Sequence, residues 1–130
     1  MSFPVFLDTC VLYPVTLADL ILRIAEAGVF RPHWSADILD ELTRNLADIP
    51  GVGPESAARR VDAMVAAFPD ASVTGYESLV DGMSCHEKDR HVLAAAVHSD
   101  CQVIVTFNLK DFPPESLDTH RHHLMAECSA

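Results

Sequence analysis

The chain has 130 residues, of which 49% are hydrophobic and 22% charged, a balance that excludes intrinsic disorder and suits one globular domain with a sizeable core. Nineteen acidic against nine basic residues give a net charge of −10, which argues against a basic surface that clamps nucleic-acid phosphates. The apolar runs are far shorter than the roughly 20 residues of a membrane span. The four cysteines lack paired spacing, and the amino-terminal residues lack the basic stretch of a signal peptide. We therefore expect a cytoplasmic protein with reduced thiols and no membrane association.

Strand and helix patterns alternate from the start of the chain. The apolar run Val5–Leu7 predicts a short buried strand that ends at Asp8. Apolar residues then recur at helical spacing until Gly28 supplies a helix stop. These residues are Leu17, Leu20, Ile21 and Ile24. Residues 29–34 predict a second strand.

Two helices are predicted in the middle of the chain. Ser35 is a good N-cap for the first of them, and the apolar stripe of that helix puts Glu41 beside the buried face. The stripe consists of Ile38, Leu39, Leu42 and Leu46. Pro54 can open the second helix and Pro69 ends it. Residues 71–74 predict a third, weaker strand.

The last third of the chain continues the alternation after an irregular segment that extends to Met83. Residues 88–98 predict a helix with an alanine-rich apolar face, and residues 102–106 predict a strand buried on both faces. Residues 122–126 predict a final edge strand. Strands separated by helices require crossover connections, which favour a mostly parallel sheet with helices on both faces. We therefore expect residues 1–130 to form a single α/β domain.

Several polar residues that follow a predicted strand, or lie on a helix next to one, are expected at the edge where a parallel sheet binds its ligands. They are Asp8, Glu41, Asp89, Asn108 and Asp111. Converging carboxylates repel one another and destabilise a fold unless a cation offsets their charge. Mg²⁺ and Mn²⁺ accept such oxygen ligands, and they activate water for attack on phosphorus. Each residue also has an ordinary structural role open to it, such as helix capping for Asp8 or a helix-dipole contact for Asp89.

Four segments of the chain resemble the PIN-domain ribonucleases, of the kind found as the toxin in bacterial VapBC toxin–antitoxin pairs. The segments are Leu7–Leu12, Ile38–Leu46, Asp89–Ala96 and Val105–Phe112. In order and spacing they cover the chain from about residue 3 to residue 114. The resemblance implies a three-layer α/β/α sandwich around a mostly parallel central sheet, which agrees with the topology derived from the residues.

The resemblance also implies a metal-dependent site that hydrolyses single-stranded or looped RNA with Mg²⁺ or Mn²⁺. Its acidic positions fall on Asp8, Glu41 and Asp89, with a fourth position between Asn108 and Asp111. By resemblance, Asp8 and Asp89 are the principal metal ligands and Glu41 orients or deprotonates the attacking water. Asp111, together with Asn108, is expected to complete the site, either on the metal or behind its ligands.

Further roles follow from the same resemblance. Thr106 is expected to hydrogen-bond a ligand carboxylate. From their positions alone, Arg44 and Arg90 lie within about one helical turn of proposed acids and are candidates for RNA phosphate contacts, with an ordinary solvated surface position as the alternative. The expected partners are an RNA substrate and a small cognate antitoxin that inserts a basic residue into the acidic edge, and a homodimer is left open. The sequence departs from many relatives at Cys10, where they carry Asn, and at Asn108, where they carry Asp.

Three other interpretations compete with the nuclease. The missing carboxylate at Asn108 keeps open a non-catalytic PIN-like module that binds RNA or a partner. Seven histidines and four cysteines allow a zinc-binding structural protein, although the CxxC and HxxxH pairs that zinc sites usually use do not occur. A phosphoryl-transfer enzyme of the haloacid-dehalogenase type would need an aspartate where Cys10 stands, and a receiver would need acids before Asp8.

Overall fold

A five-stranded parallel sheet lies at the centre of the chain in a computed structural model, which describes residues 3–82, 90–101, 103–107 and 125–127. The strands are β1 (Phe3–Leu7), β2 (Phe30–Ser35), β3 (Ser72–Val73), β4 (Val103–Val105) and β5 (Met125–Glu127). Their order is β3-β2-β1-β4-β5, and each of the four pairings is parallel. The predicted parallel sheet is therefore confirmed.

Helices cover both faces of this sheet and complete a three-layer α/β/α sandwich, as the sequence predicts. They are α1 (Thr9–Leu12), α2 (Val15–Glu26), α3 (Ala36–Ala47), α4 (Gly53–Ala67) and α5 (Arg90–His98), with a 3₁₀ helix over Glu77–Gly82. Among the helices of the described ranges, none combines the length and apolar character needed to cross a bilayer.

The strand order fixes where a ligand can bind. From β1 the chain steps through β2 and β3 to one side of the sheet, and then crosses to β4 and β5 on the other side. Because parallel crossovers are right-handed, the connections on the two sides lie on opposite faces and leave a crevice between them. The crevice opens at the carboxyl ends of β1 and β4, where Asp8 and Thr106 lie.

The core lies between the sheet and its helices. Its largest fully buried side chains include Phe6, Leu7, Trp34, Ile38, Leu42, Leu93 and Ile104. Burying a side chain of this size contributes about 1.5–3 kcal/mol to folding. The fully buried alanines 94–96 of α5 add little volume, so this helix can approach the sheet closely.

The structure corrects some local predictions. The helix predicted before Gly28 is preceded by a separate turn, α1, because Pro14 interrupts the chain between them. The segment predicted to be irregular contains the 3₁₀ helix. The strand predicted at residues 102–106 to be buried on both faces is described as β4, in which Ile104 is fully buried while Val103 and Val105 are half-buried. Residue 102, the start of the helix predicted at residue 88, and residues 122–124 of the last predicted strand lie outside the described residues.

One side of α2 is left uncovered by the described residues. Leu17 and Ile21 of the predicted apolar stripe pack against the core, whereas Leu20 is 56% exposed and Ile24 is 38% exposed. The sequence pattern places all four on one face of the helix, and the structure shows that this face is wider than the core it covers. An exposed apolar strip of this kind is typical of a surface that contacts another molecule.

Candidate active site

Asp8 lies directly after β1 and is held at both carboxylate oxygens. Its Oδ1 accepts a hydrogen bond from the Thr9 backbone N–H at 2.8 Å, and its Oδ2 accepts one from the Thr106 hydroxyl at 2.7 Å. The Asp8 N–H donates to the carbonyl of Val105 at 3.1 Å, which continues the β1–β4 pairing by one step. The side chains of Asp8 and Thr106 are both buried, so the end of the sheet fixes the Asp8 carboxylate in one orientation.

The surroundings of Asp8 make its negative charge costly. Burial raises the pKa of the Asp8 carboxyl above its ordinary value, and the nearby charge of Glu41 acts in the same direction. The hydrogen bonds from Thr106, Thr9 and Cys10 oppose the rise without cancelling it. A cation bound at Asp8 would offset this cost.

Glu41 reaches the same place from the opposite side of the crevice. The Thr9 hydroxyl donates a hydrogen bond to Glu41 Oε1, so Thr9 joins the two carboxylates through its backbone N–H and its side chain. Helix α3 is set in position by its N-cap Ser35, whose Oγ accepts from the Ile38 N–H at 3.2 Å. The structure therefore brings together Asp8 and Glu41, which are 33 residues apart in sequence.

Cys10 fills the space between Asp8 and the end of β4. Its Sγ lies 3.7 Å from Asp8 Oδ2 and 3.5 Å from the Thr106 hydroxyl oxygen, and it accepts a hydrogen bond from the Phe107 N–H at 3.2 Å. Burial raises the pKa of the Cys10 thiol, which keeps it protonated and able to donate to Asp8. The Cys10 thiol thus forms hydrogen bonds with both the Asp8 carboxylate and the Phe107 backbone.

The two carboxylates open onto a cleft of about 520 Å³. The cleft is lined by Asp8, Thr9, Cys10, Tyr13, Glu41, Asn45 and Asp48. Three of these residues, Tyr13, Asn45 and Asp48, are not among the predicted site residues. A helical signal was present for two of them, because positions 41, 45 and 48 are spaced by four and three residues and so share one face of α3.

The remaining predicted site residues fall in two groups. Asp89, Asn108 and Asp111 lie outside the described residues. Arg44 is exposed and Arg90 opens α5, and neither lines the cleft; the Arg90 Nε is buried and finds no hydrogen-bond partner among the described residues. In the described part of the chain, no group of three His, Cys, Asp or Glu side chains is placed to hold a metal ion.

The donor set at the cleft nevertheless fits a hard divalent cation. Asp8 and Glu41 offer carboxylate oxygens, which are the ligands that Mg²⁺ and Mn²⁺ prefer. Mg²⁺ commonly uses only one or two protein carboxylates and keeps several waters. Asp8 and Glu41 are therefore the described residues that could hold such an ion.

Residues 4–110 match the family model of the PIN domain. The match covers most of the chain, and the chain belongs to the PIN domain family. A putative ribonuclease, VapC50 of Mycobacterium tuberculosis, is 53% identical over 47 residues. That match covers 36% of this chain but only 28% of the length of the relative.

Two solved structures share the fold over nearly the whole chain. VapBC2 from Rickettsia felis, bound to a DNA fragment from its promoter, superimposes with a TM-score of 0.61 at 16% identity, covering 98% of this chain and 100% of the other. VapBC-1 from nontypeable Haemophilus influenzae gives a TM-score of 0.62 at 14% identity, covering 97% and 98%. At such low identity the likeness extends to the fold alone.

Proposed function

We propose that this chain is an endoribonuclease that hydrolyses RNA phosphodiester bonds with the help of Mg²⁺ or Mn²⁺, and that residues 1–130 act as one PIN domain. The observation that carries the proposal is the pairing of Asp8 and Glu41 through Thr9 at the carboxyl end of β1. Membership of the PIN family and the name of the Mycobacterium tuberculosis relative support a ribonuclease over other hydrolases.

The proposed roles of Asp8 and Glu41 follow from the hydrogen bonds that hold each side chain. A divalent cation bound at Asp8 would lower the pKa of a bound water and stabilise charge on the phosphate. The hydrogen bonds from Thr9 and Thr106 hold the two Asp8 carboxylate oxygens, the proposed metal ligands, in one orientation. Glu41, whose Oε1 is engaged by Thr9, offers Oε2 to orient the attacking water and accept its proton.

The residues outside the described ranges are assigned by proposal. Asp89 and Asp111 would add metal ligands, and Asn108 would support them. Arg44 and Arg90 remain candidates for phosphate contacts beyond the cleft. Cellular RNA is the proposed substrate and the cytoplasm the proposed location of the activity.

Cleavage of single-stranded RNA in Mn²⁺ tests the nuclease. We expect the wild-type chain to cut and the Asp8→Asn variant to be inactive, since it removes one negative charge without changing the size of the side chain. Asp62→Asn is the matched control, because Asp62 is exposed on α4 and does not line the cleft. Equal cleavage by wild type and Asp8→Asn would mean a contaminating nuclease and would overturn the proposal.

The same assay separates the nuclease from a non-catalytic PIN-like module. Asn108 favours that second function, because an amide there offers a cation no negative charge. RNA binding without cleavage by the wild-type chain, in both Mg²⁺ and Mn²⁺, would support the module.

We further propose that the chain pairs with an antitoxin protein. The two structural neighbours are VapBC assemblies, and an apolar groove of about 390 Å³ lies beside the exposed strip of α2. The groove is lined by Phe3, Val5, Leu7, Ile21, Ile24, Phe30, Val103 and Val105. The net charge of −10 favours a partner that also presents basic residues. Co-purification with the product of the adjacent gene tests the pairing, and recovery of the chain alone or as a homodimer would count against it.

A further inference from the structure

The cleft beside Asp8 is larger than a hydrated metal ion requires. Six waters around an octahedral ion occupy about 180 Å³, at roughly 30 Å³ for each water. The cleft holds about 520 Å³. The cleft that the described residues line therefore extends beyond the two carboxylates and has room for a part of the substrate.

An aromatic ring forms one wall of this extra space. Tyr13 follows α1, and its N–H donates to the Thr9 carbonyl at 2.9 Å, so its position is tied to the residue that joins the two carboxylates. The side chain lines the cleft and is 37% exposed. Within the described residues it takes part in no hydrogen bond. The ring is thus open to stack against a planar group that enters the cleft.

Hydrogen-bonding groups also line the cleft. Asn45 lies one helical turn after Glu41 on α3, Asp48 is the C-cap residue of that helix, and both line the cleft. The Asn45 amide both donates and accepts hydrogen bonds, whereas the ionised Asp48 carboxylate only accepts. Neither side chain is engaged by another described residue. These side chains therefore offer two donors and several acceptors to the edge of a planar group.

An unpaired nucleobase has the chemistry that fits this ring and these polar groups. RNA-binding proteins recognise unpaired bases by stacking them on aromatic rings and hydrogen-bonding their exposed edges. A phosphate is disfavoured beside Asp48, because two negative charges repel each other and the proposed cation lies at Asp8. A base in a duplex cannot enter, since its faces and edge are already engaged.

We propose that Tyr13 and Asn45 hold one unpaired nucleobase next to the scissile phosphate, and that Asp48 selects bases with an exocyclic amino group. The proposal rests on the proposed nuclease function and names the substrate contact of the same site. Guanine can donate to the Asp48 carboxylate from its N1–H and its amino group together, and adenine and cytosine can donate from an amino group. The single N3–H donor of uracil is flanked by two carbonyl oxygens that the carboxylate repels. Tyr13 and Asn45 position the substrate and do not act on the reacting atoms.

The test is cleavage of single-stranded oligoribonucleotides in which each nucleotide in turn is replaced by an abasic one. We expect one abasic position near the cut to lower kcat/KM of the wild-type chain about 10-fold or more. Tyr13→Phe keeps the ring and should show the same loss. Tyr13→Ala should cut intact RNA more slowly and should lose much less than 10-fold at the abasic position, because only the contacts of Asn45 and Asp48 to the base remain. The loss in Tyr13→Ala should appear in KM with kcat little changed, which a disrupted fold would not produce.

Asn45→Ala and Asp48→Asn give an independent arm of the same experiment. Asn45→Ala should raise KM for intact RNA, and Asp48→Asn should remove the preference against uracil, because an amide can donate to a carbonyl oxygen. A Tyr13→Ala enzyme that still loses 10-fold at the abasic position would overturn the proposal, as would unchanged base preference in Asp48→Asn. A wild-type chain that cuts no RNA would instead refute the nuclease itself.

Discussion

The Thr106 hydroxyl donates a hydrogen bond to Asp8 Oδ2 at 2.7 Å, across 98 positions of sequence. The contact forms because Leu7 pairs with Val105 in the sheet, so the residues that follow the two strands lie side by side. This hydrogen bond joins the residues that follow β1 and β4, at the place in the sheet where the strand order reverses. The orientation of the candidate metal ligand is thus set by the β1–β4 pairing rather than by a loop.

Thr106→Val should weaken the site while keeping its shape. Removing a residue that supports a metal ligand typically lowers metal affinity or activity 10- to 100-fold. The hydrogen bond from Thr106 lowers the Asp8 pKa, so its loss should move the acidic limb of the pH–rate profile to higher pH. Cleavage rates across a Mn²⁺ titration and a pH series measure both effects. Thr106→Ser should restore activity, and a valine variant with wild-type metal dependence would contradict the prediction.

Asp8→Asn should make the metal-free protein more stable at neutral pH. Burial raises the Asp8 pKa above its ordinary value of 3.8, so the folded state holds the proton more tightly than the unfolded state. The resulting loss of stability is absent below pH 3.8, grows as pH rises toward the folded pKa, and is complete above it. Urea unfolding in EDTA should show a gain for Asp8→Asn at pH 7.5 that shrinks at pH 4. A less stable variant at pH 7.5 would show that the hydrogen bonds outweigh burial.

A divalent cation should make the wild-type chain more stable than Asp8→Asn, the reverse of the order expected without metal. An ion that binds the folded state alone stabilises it by about 2.7 kcal/mol when present at 100 times its Kd. Mn²⁺ should therefore raise the Tm of the wild-type chain and leave that of Asp8→Asn nearly unchanged, with Asp62→Asn responding like wild type. Thermal melts in EDTA, Mg²⁺ and Mn²⁺ measure the shift. An equal rise in all three proteins would place the bound ion away from Asp8.

Cys10→Ala should lower the free energy of unfolding, because a backbone N–H loses its hydrogen-bond acceptor. The Cys10 sulfur accepts from the Phe107 N–H, and its removal leaves that half-buried group without its partner, at a cost of about 1 kcal/mol. Cys10→Ser retains an acceptor and should lose less. Chemical denaturation of the two variants at pH 7 measures the difference. Equal stability of Cys10→Ala and wild type would mean that water replaces the thiol at no cost.

The layered fold could be predicted from the sequence because its signals are local. Val5–Leu7 is an apolar run that ends in a polar residue, and Ser35 combines an N-cap with a helical stripe, so both elements follow from short patterns. The exposure of Leu20 and Ile24 could not be predicted, because periodicity shows which residues share a face and not how far the opposing surface extends. The turn of α1 was missed because four residues are too few to show a period.

The part of the site that the order of strands and helices determines could be predicted from the sequence. Asp8 and Glu41 come together because the carboxyl ends of parallel strands meet at one edge, which the order of strands and helices already implies. The link through Thr9 could not be predicted, since it depends on the distance between α1 and α3. Tyr13 is not predicted for the same reason: its sequence surroundings are ordinary, and it lines the cleft only because α1 packs against α3.

The exposed apolar strip of α2 gives the last prediction, which concerns the proposed antitoxin. Leu20→Asp and Ile24→Asp each place a charge where an apolar partner surface would pack, and truncated or charged anchors at interface centres commonly weaken binding 10-fold or more. Ser78→Asp is the matched control, because Ser78 is exposed in the 3₁₀ helix and does not line the groove. Substitutions at exposed positions change stability by about 0.5 kcal/mol or less, so all three variants should keep the wild-type circular dichroism spectrum and Tm. Titration calorimetry against the product of the adjacent gene should then show weaker binding for Leu20→Asp and Ile24→Asp alone. Unchanged affinity in both variants would assign the antitoxin to another face and leave the strip unexplained.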